Sequence, residues 1–223
     1  MFAIRTALLA AFVCGATLAA AESVDGSGKV ATETRNVTGF HGVGLSVPGK
    51  LEIVPGDAEK LVISADDNIL PLIETTVERG ELRIRWRERG HLNVHTRTTI
   101  RMTLTAKAVD ALAISGSGDI LANTVDAKSM QVSISGSGNV MLAGKAQDLR
   151  VDISGSGDVK AGKLEAQSAR VSIAGSGDAT VWARESLRVS VAGSGDVRYY
   201  GDPAVQRTVA GSGSVRRAGA APG

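Results

Sequence analysis

The chain has 223 residues, of which 25 are basic and 23 acidic, so its formal net charge is only +2. This near balance leaves no global field that would recruit nucleic acid, and we expect no nucleic-acid partner. Aromatic residues make up 3% of the chain and glycine occupies 27 positions, a composition that suits a narrow core of small and β-branched side chains.

The first 21 residues predict a secretory signal peptide. Arg5 precedes an apolar run at residues 7–16, and the alanines at residues 19–21 form the kind of small-residue site at which such peptides are cleaved. The run is too short to span a bilayer, and no later segment is apolar for long enough. We therefore expect an exported protein without a transmembrane span, located in the periplasm or outside the cell at its surface.

The cysteine content excludes several kinds of site. Cys14 is the single cysteine of the chain and lies inside the predicted signal peptide. Cleavage after Ala21 would leave a mature protein without cysteine, so we expect no disulfide, no thiol catalysis and no zinc–cysteine site.

The segment between the signal peptide and the repeats divides into two parts. Residues 22–36 show no usable pattern and are predicted to be a flexible leader. Residues 37–110 are predicted to form a β-rich N-terminal half, because short alternating runs are separated by Pro-Gly breaks. The predicted strands are residues 40–47, 50–54, 61–65, 74–77, 81–87 and 99–105, with a helical turn or loop at residues 66–73.

The predicted strand at residues 81–87 carries a basic stripe. Its alternation places Leu82, Ile84 and Trp86 toward the core. The residues predicted to point outward, with successive members about 7 Å apart, are Arg83, Arg85 and Arg87. Guanidinium groups at this spacing suit carboxylate or phosphate groups on one polymer, which predicts contact with an anionic glycan or lipopolysaccharide. The alternative is a solvated edge strand whose charge the neighbouring glutamates neutralise.

Residues 111–217 contain six copies of a phrase built around Gly-Ser-Gly. The first glycines stand at positions 116, 136, 155, 175, 193 and 211, so successive copies are 18 to 20 residues apart. The residues before each glycine alternate between apolar and small or polar, and β-branched residues dominate the apolar columns. This regular period and this alternation predict an all-β fold, a parallel β-helix with about 18–20 residues per coil.

The glycines and the residue after them predict a ladder of corners. Glycine takes a positive φ without a Cβ penalty, and Asp, Asn or Ser can bond nearby backbone N–H groups. The members of this structural turn ladder are Gly116, Gly118, Asp119, Gly136, Gly138, Asn139, Gly155, Gly157, Asp158, Gly175, Gly177, Asp178, Gly193, Gly195 and Asp196. The alternative is a calcium ladder, but the period is twice that of calcium-binding nonapeptides and Asn139 interrupts the charge. We therefore predict turn capping, with no metal and no cofactor.

The sequence contains few groups of residues that could form a catalytic site. The repeated serines lack the Gly-x-Ser-x-Gly elbow, since Ser115 stands two residues before Ser117, and six copies of one serine favour a ladder over a single active site. His91 and His95, together with His41, could hold a metal, whereas the simpler reading is loop histidines at the surface. β-Helix scaffolds also include polysaccharide-cleaving enzymes, which keeps a periplasmic carbohydrate-active enzyme as the alternative function.

The last copy departs from the others. Arg207 replaces the apolar residue of its column, and Arg216 and Arg217 follow, which predicts that charges protect the final edge of the solenoid. Residues 218–223 are predicted to be a tail.

Taken together, these phrases resemble the putative auto-transporter adhesins with a head GIN domain, over residues 37–217. The resemblance rests on residues 39–43 (Gly-Phe-His-Gly-Val), 51–53 (Leu-Glu-Ile), 67–70 (Asp-Asn-Ile-Leu) and 80–84 (Gly-Glu-Leu-Arg-Ile), and on the repeated Ile-Ser-Gly-Ser-Gly-Asp phrase. It implies an exported bacterial β-helical domain, called an adhesin by inference, without a family reaction or known catalytic residues.

The function predicted from these observations is a non-enzymatic, exported β-solenoid with a binding, adhesion-like or structural role at the cell envelope. The predicted partners are an envelope or extracellular polysaccharide, or a surface protein.

Overall fold

The computed structural model describes residues 22–87 and 92–221, which form strands along most of their length and confirm the predicted all-β class. In the N-terminal half the strands are β1 (Glu22–Asp25), β2 (Val30–Asn36), β3 (Gly42–Leu45), β4 (Lys50–Pro55), β5 (Lys60–Asp66), β6 (Ile73–Glu78), β7 (Glu81–Trp86), β8 (Leu92–His95) and β9 (Arg101–Ala106), with a 3₁₀ turn at Leu70–Leu72. In the repeat half they are β10 (Ala111–Gly116), β11 (Asp119–Gly136), β12 (Asn139–Gly155), β13 (Val159–Gly175), β14 (Ala179–Gly193), β15 (Val197–Tyr200), β16 (Ala204–Gly211) and β17 (Val215–Gly219). No helix among the described residues has both the length and the apolar character needed to cross a membrane.

Each repeat pairs with the next in parallel and in register. Ile134 of β11 lies opposite Ile153 of β12, which in turn lies opposite Ile173 of β13. Because partners are one period apart in the sequence, the chain completes one circuit per repeat. The structure therefore confirms the predicted parallel β-helix.

The apolar columns of the repeats form the core. Ile114, Ile134, Ile153, Ile173 and Val191 stack above one another and are each at most 2% exposed. Burying an aliphatic side chain of this size stabilises the fold by about 1.5–3 kcal/mol. Most of these side chains are β-branched and have few rotamers to lose, so a column of them orders at low entropic cost.

The N-terminal half is part of the same stack. β3 pairs in parallel with β10, and β4 pairs in parallel with the start of β11. On their other side, β3 and β4 pair in parallel with β7 and β9. The segment from β3 to β4 therefore lies between the later segment β7–β9 and the repeats, so the spatial order of the coils differs from their order in the chain.

Antiparallel strands close the N-terminal end of the solenoid. β6 pairs with β7, β5 pairs with β9, and β2 pairs with β5, all in antiparallel register. They cover the backbone groups that the outermost parallel coil would otherwise present as an open edge.

Residues 22–36 do not form the predicted flexible leader, because they contain β1 and β2. β2 pairs with β5 from Val30 opposite Asp66 to Asn36 opposite Lys60. Most of its residues are exposed, so backbone hydrogen bonds hold the strand and no apolar alternation is needed. An edge strand of this kind leaves little trace in a hydrophobic pattern.

The arginines of the last coil lie at the final edge of the solenoid, as predicted. Val205 and Val209, in the inward columns of β16, are 37% and 38% exposed because no further coil packs on them within the described residues. Arg207, between them in the same columns, donates a hydrogen bond from Nη1 to the carbonyl oxygen of Val215 at 3.2 Å. Arg217 donates from Nε to the carbonyl oxygen of Gly201 at 2.7 Å. β17 also continues to Gly219, so the predicted tail starts later than residue 218.

Two effects require glycine at the corners. Gly155 has a φ of +128°, a region that L-residues rarely adopt. A Cβ on Gly155 would also collide with the carbonyl oxygen of Gly136 in the preceding coil. Gly116 has a similar φ of +113°, but a Cβ there would meet nothing within 4 Å.

Mutating these two glycines separates the effect of backbone strain from the effect of close contact between coils. Gly116→Ala should destabilise the protein by about 1–2 kcal/mol through backbone strain alone. Gly155→Ala should cost about 1–3 kcal/mol more, because the coils must also move apart. Urea unfolding of both variants measures the difference, and equal losses would contradict a role for close coil contact.

Candidate functional site

The corner carboxylates bond the backbone of the following coil. Oδ1 of Asp158 accepts the N–H of Asp178 at 3.1 Å, and Oδ1 of Asp178 accepts the N–H of Asp196 at 2.8 Å. Oδ1 of Asp119 accepts both the backbone N–H and the side-chain amide of Asn139, at 3.2 and 2.8 Å. The corner ladder therefore joins one coil to the next.

The hydrogen bonds of the ladder also affect the ionisation of its final member, Asp196. Oδ1 of Asp196 accepts bonds from the hydroxyl and the backbone N–H of Ser214, both at 2.8 Å. These bonds, with smaller contributions from Arg216 and Arg198, lower the pKa of Asp196. The carboxylate is thus held ionised by protein donors.

The described residues that were considered as alternative metal ligands do not form one group in the structure. Within residues 22–87 and 92–221, no three His, Cys, Asp or Glu side chains are grouped to hold a metal ion. Nδ1 of His41 lies 2.8 Å from Oδ1 of Asp110 at the surface, and His95 lies on β8. His91 lies outside the described residues.

We expect chelation to leave the stability unchanged. If the corner carboxylates act only through the hydrogen bonds described above, EDTA should not shift the melting temperature, because no bound ion stabilises the native state. A fall of many degrees that calcium reverses would show instead that the ladder binds metal.

Asp66 is a buried charged residue that fastens three segments together. Oδ1 accepts the N–H of Gly28 at 2.9 Å, and Oδ2 accepts those of Arg97 and Thr98 at 3.0 and 3.2 Å. Burial opposes ionisation of this carboxyl, but the backbone donors outweigh it and the pKa of Asp66 is lowered. Nearby, Asn68 bonds the backbone of Asp25 and Ser27, so this part of the family-like motif anchors the N-terminal strands.

Asp66 should make the stability depend on acid pH. Because its folded pKa lies below the unfolded value of about 3.9, its contribution is complete above that value and is lost as pH falls through the folded pKa. Asp66→Asn should lower the melting temperature at pH 7 and narrow its gap to the wild type as the solution is acidified. A constant gap from neutral pH to about pH 2 would contradict this role.

A groove lies where β7 meets the outer face of the repeats. Register places Arg83 beside Gly44, Gly44 beside Ala113, and Ala113 beside Ser133. These small side chains leave an open volume of about 560 Å³ next to the larger residues of β7. We call this the Trp86 groove. Its floor is formed by Gly44, Ser46, Ala113, Ser115, Ser133 and Ser135, and its wall by Glu81, Arg83, Arg85 and Trp86.

The burial pattern of β7 agrees with the predicted orientation of Leu82, Ile84, Arg83 and Arg85, but Trp86 is not enclosed in the core as predicted. Leu82 and Ile84 are fully buried, whereas Arg83 and Arg85 point outward. Trp86 is partly buried: it packs against the core and also lines the groove. Arg87 follows the strand and is exposed.

Glutamates pair with two of the predicted binding arginines. Arg83 contacts Glu81 at 2.9 Å and Glu78 at 3.0 Å. Arg85 contacts Glu74 at 2.8 Å and Glu78 at 3.6 Å. These pairs fix the guanidinium planes and reduce the net positive charge of the wall.

The structure also reveals a basic row that was not predicted. Arg150, Arg170 and Arg188 lie directly opposite one another on β12, β13 and β14, and all three are exposed. We call them the arginine row. Each stands five residues before the first glycine of its repeat, so a column-by-column alignment of the outward positions could have found them.

The model of the family described as "Putative auto-transporter adhesin, head GIN domain" matches residues 39–203. The chain belongs to this family. The match includes the Trp86 groove, the arginine row and the corner ladder up to Asp196. A comparison with curated proteins found no match.

Solved structures share the fold of this family member. A putative adhesin from Bacteroides fragilis NCTC 9343 superimposes with a TM-score of 0.67 at 23% identity, over 87% of this chain and 99% of that one. A putative lipid binding protein from Parabacteroides distasonis ATCC 8503 gives a TM-score of 0.56 at 23% identity, over 88% and 99%. A putative adhesin from the same strain gives 0.53 at 23% identity, over 88% and 100%.

Proposed function

We propose that this protein is a non-enzymatic, exported β-solenoid that binds an envelope or extracellular polysaccharide in an adhesion-like role. Membership of the adhesin family and the signal-peptide pattern of residues 1–21, which lie outside the described residues, support this role. The observation that carries it is the Trp86 groove, an open cleft that combines an indole, oriented guanidinium groups and hydroxyl groups.

The composition of the groove suits a sugar ring. An indole offers a broad apolar surface with a polar edge, which matches the mixed character of a pyranose. Hydroxyl groups of Ser115 and Ser135 stand on the floor, where they can donate to and accept from sugar hydroxyls. Arg83 and Arg85 keep further N–H donors beyond those used by the glutamates, since each guanidinium has five.

The ion pairs also bear on the enzymatic alternative. A glycosidase usually needs a pair of carboxyl groups that flank the scissile bond. Glu74, Glu78 and Glu81 are the carboxylates beside the groove, and each contacts Arg83 or Arg85. Among the described residues that line the groove, Glu81 is the one carboxylate, and it contacts Arg83 at 2.9 Å, so this arrangement favours binding over cleavage.

The proposal is tested by a glycan and envelope-polymer binding screen, run together with an assay for polysaccharide cleavage. We expect binding without cleavage. Trp86→Ala and the triple variant Arg83→Ser/Arg85→Ser/Arg87→Ser should each weaken binding of the selected glycan at least about tenfold, through loss of stacking or of charged hydrogen bonds.

A matched variant separates binding from stability. The triple variant leaves its glutamates without partners and should lose about 1 kcal/mol of stability. Arg184→Ser breaks a comparable ion pair, with Glu165 at 3.1 Å, outside the groove. It should leave glycan binding unchanged. Cleavage by the wild type, or equal binding by all variants, would refute the proposal.

A further inference from the structure

The arginine row is a column of like charges built into the sheet. Parallel pairing places Arg170 between Arg150 and Arg188, with neighbouring strands about 4.7–4.9 Å apart. Like charges directly opposite one another on neighbouring strands are destabilising. A neutral residue is compatible with the same column, since Gln131 and Gln206 continue it on β11 and β16.

Another outward column of the same solenoid avoids repulsion between like charges. Asp126 lies opposite Lys145, which lies opposite Glu165, so the sign of the charge alternates from coil to coil. Arg184 then pairs with Glu165. The fold can therefore place opposite charges next to one another within a column. The arginine row instead places three positive charges next to one another.

Neighbouring residues neutralise the positive charge of the arginine row only in part. Arg150 bonds Asp152 at 2.7 Å, and Arg188 donates to the side-chain oxygen of Gln206 at 3.0 Å. Arg170 forms no salt bridge with any residue that the structure describes. In the neighbouring column, Asp148 is bonded by the hydroxyl of Ser168.

A shallow groove runs beside the row. Its volume is about 430 Å³, and it crosses the strands from β11 to β16. Its polar lining includes Ser129, Asp148, Ser168 and Ser186 together with the three arginines. None of the large exposed apolar side chains of the described chain lines it. A linear ligand could therefore lie across the strands, along the axis of the solenoid.

We propose that the arginine row binds a linear acidic polysaccharide, with the carboxylates on one side of the polymer engaging the guanidinium groups of the row. Arginine forks match carboxylates in a two-point geometry, and long arginine side chains on neighbouring strands can reach several carboxylates of one polymer. A membrane surface fits less well, because peripheral membrane binding combines basic residues with inserted apolar side chains. This site is separate from the Trp86 groove and does not depend on the function proposed for it.

The test measures binding of polygalacturonate to the full chain by calorimetry, with methyl-esterified polygalacturonate as the uncharged control. The wild type should bind the acidic polymer only, and binding should weaken as salt is added. Arg170→Gln should weaken binding about tenfold, and Arg150→Gln/Arg170→Gln/Arg188→Gln about a hundredfold or more. Affinity for oligogalacturonates should increase with length until the oligomer spans the row, and then level off.

Two further measurements distinguish this site from its alternatives. Arg170→Gln should keep or raise the melting temperature at low salt, because it removes repulsion within the row. The groove variant Arg83→Ser/Arg85→Ser/Arg87→Ser should bind polygalacturonate as the wild type does, even where it has lost the glycan of the Trp86 groove. Failure of the groove proposal would therefore leave this result intact.

Four outcomes would overturn the inference. They are equal binding by the wild type and the triple glutamine variant, equal binding of the methyl-esterified polymer, a marked loss of stability in Arg170→Gln, and arginine-dependent binding to phosphatidylglycerol vesicles without binding to polygalacturonate.

Discussion

The structure depends on the close contact of glycine corners in neighbouring coils. Hydrogen bonding between parallel strands holds the coils at one spacing, and at that spacing a Cβ on Gly157 would collide with the carbonyl oxygen of Gly138. The corner can therefore repeat only where glycine repeats. Once the corners coincide, most other positions of the coil are brought into register with their counterparts one period away, apart from local register shifts after Ala122 and Met141.

Because the coils pair in register, a residue type that repeats in the sequence forms a continuous row in the structure. The chemistry of that residue type decides what the row contributes. An inward column of Ile and Val becomes a continuous core. A corner column of Asp and Asn becomes a ladder of bonds between coils. An outward column of Arg becomes a line of like charge that the fold does not need. Packing restricts the inward columns and backbone bonding restricts the corners, so the outward columns are where this family member can vary its binding surface.

The N-terminal half contributes both protection and shape. Its antiparallel strands cover one end of the solenoid, where an open parallel edge would invite association. Its strand β7 adds large side chains beside the small residues of β3 and β10, and this step in side-chain size creates the Trp86 groove. The same ion pairs that orient Arg83 and Arg85 also reduce their charge, which makes the wall a source of directed hydrogen bonds more than a source of electrostatic attraction.

The sequence by itself determined the all-β class, the period of the β-helix, the buried columns and the outward direction of Arg83 and Arg85. These follow from local alternation and from a period visible along the chain, so no knowledge of distant contacts is needed. It also contained the arginine row, which becomes visible once the outward positions of the repeats are aligned. Only the tertiary structure decided that residues 22–36 contain strands, that β3 and β4 lie between β7–β9 and the repeats, and that Glu74 and Glu78 pair with the arginines of β7. These features arise from pairing between segments that share no repeat and no common pattern, and such pairing is selected by packing in three dimensions.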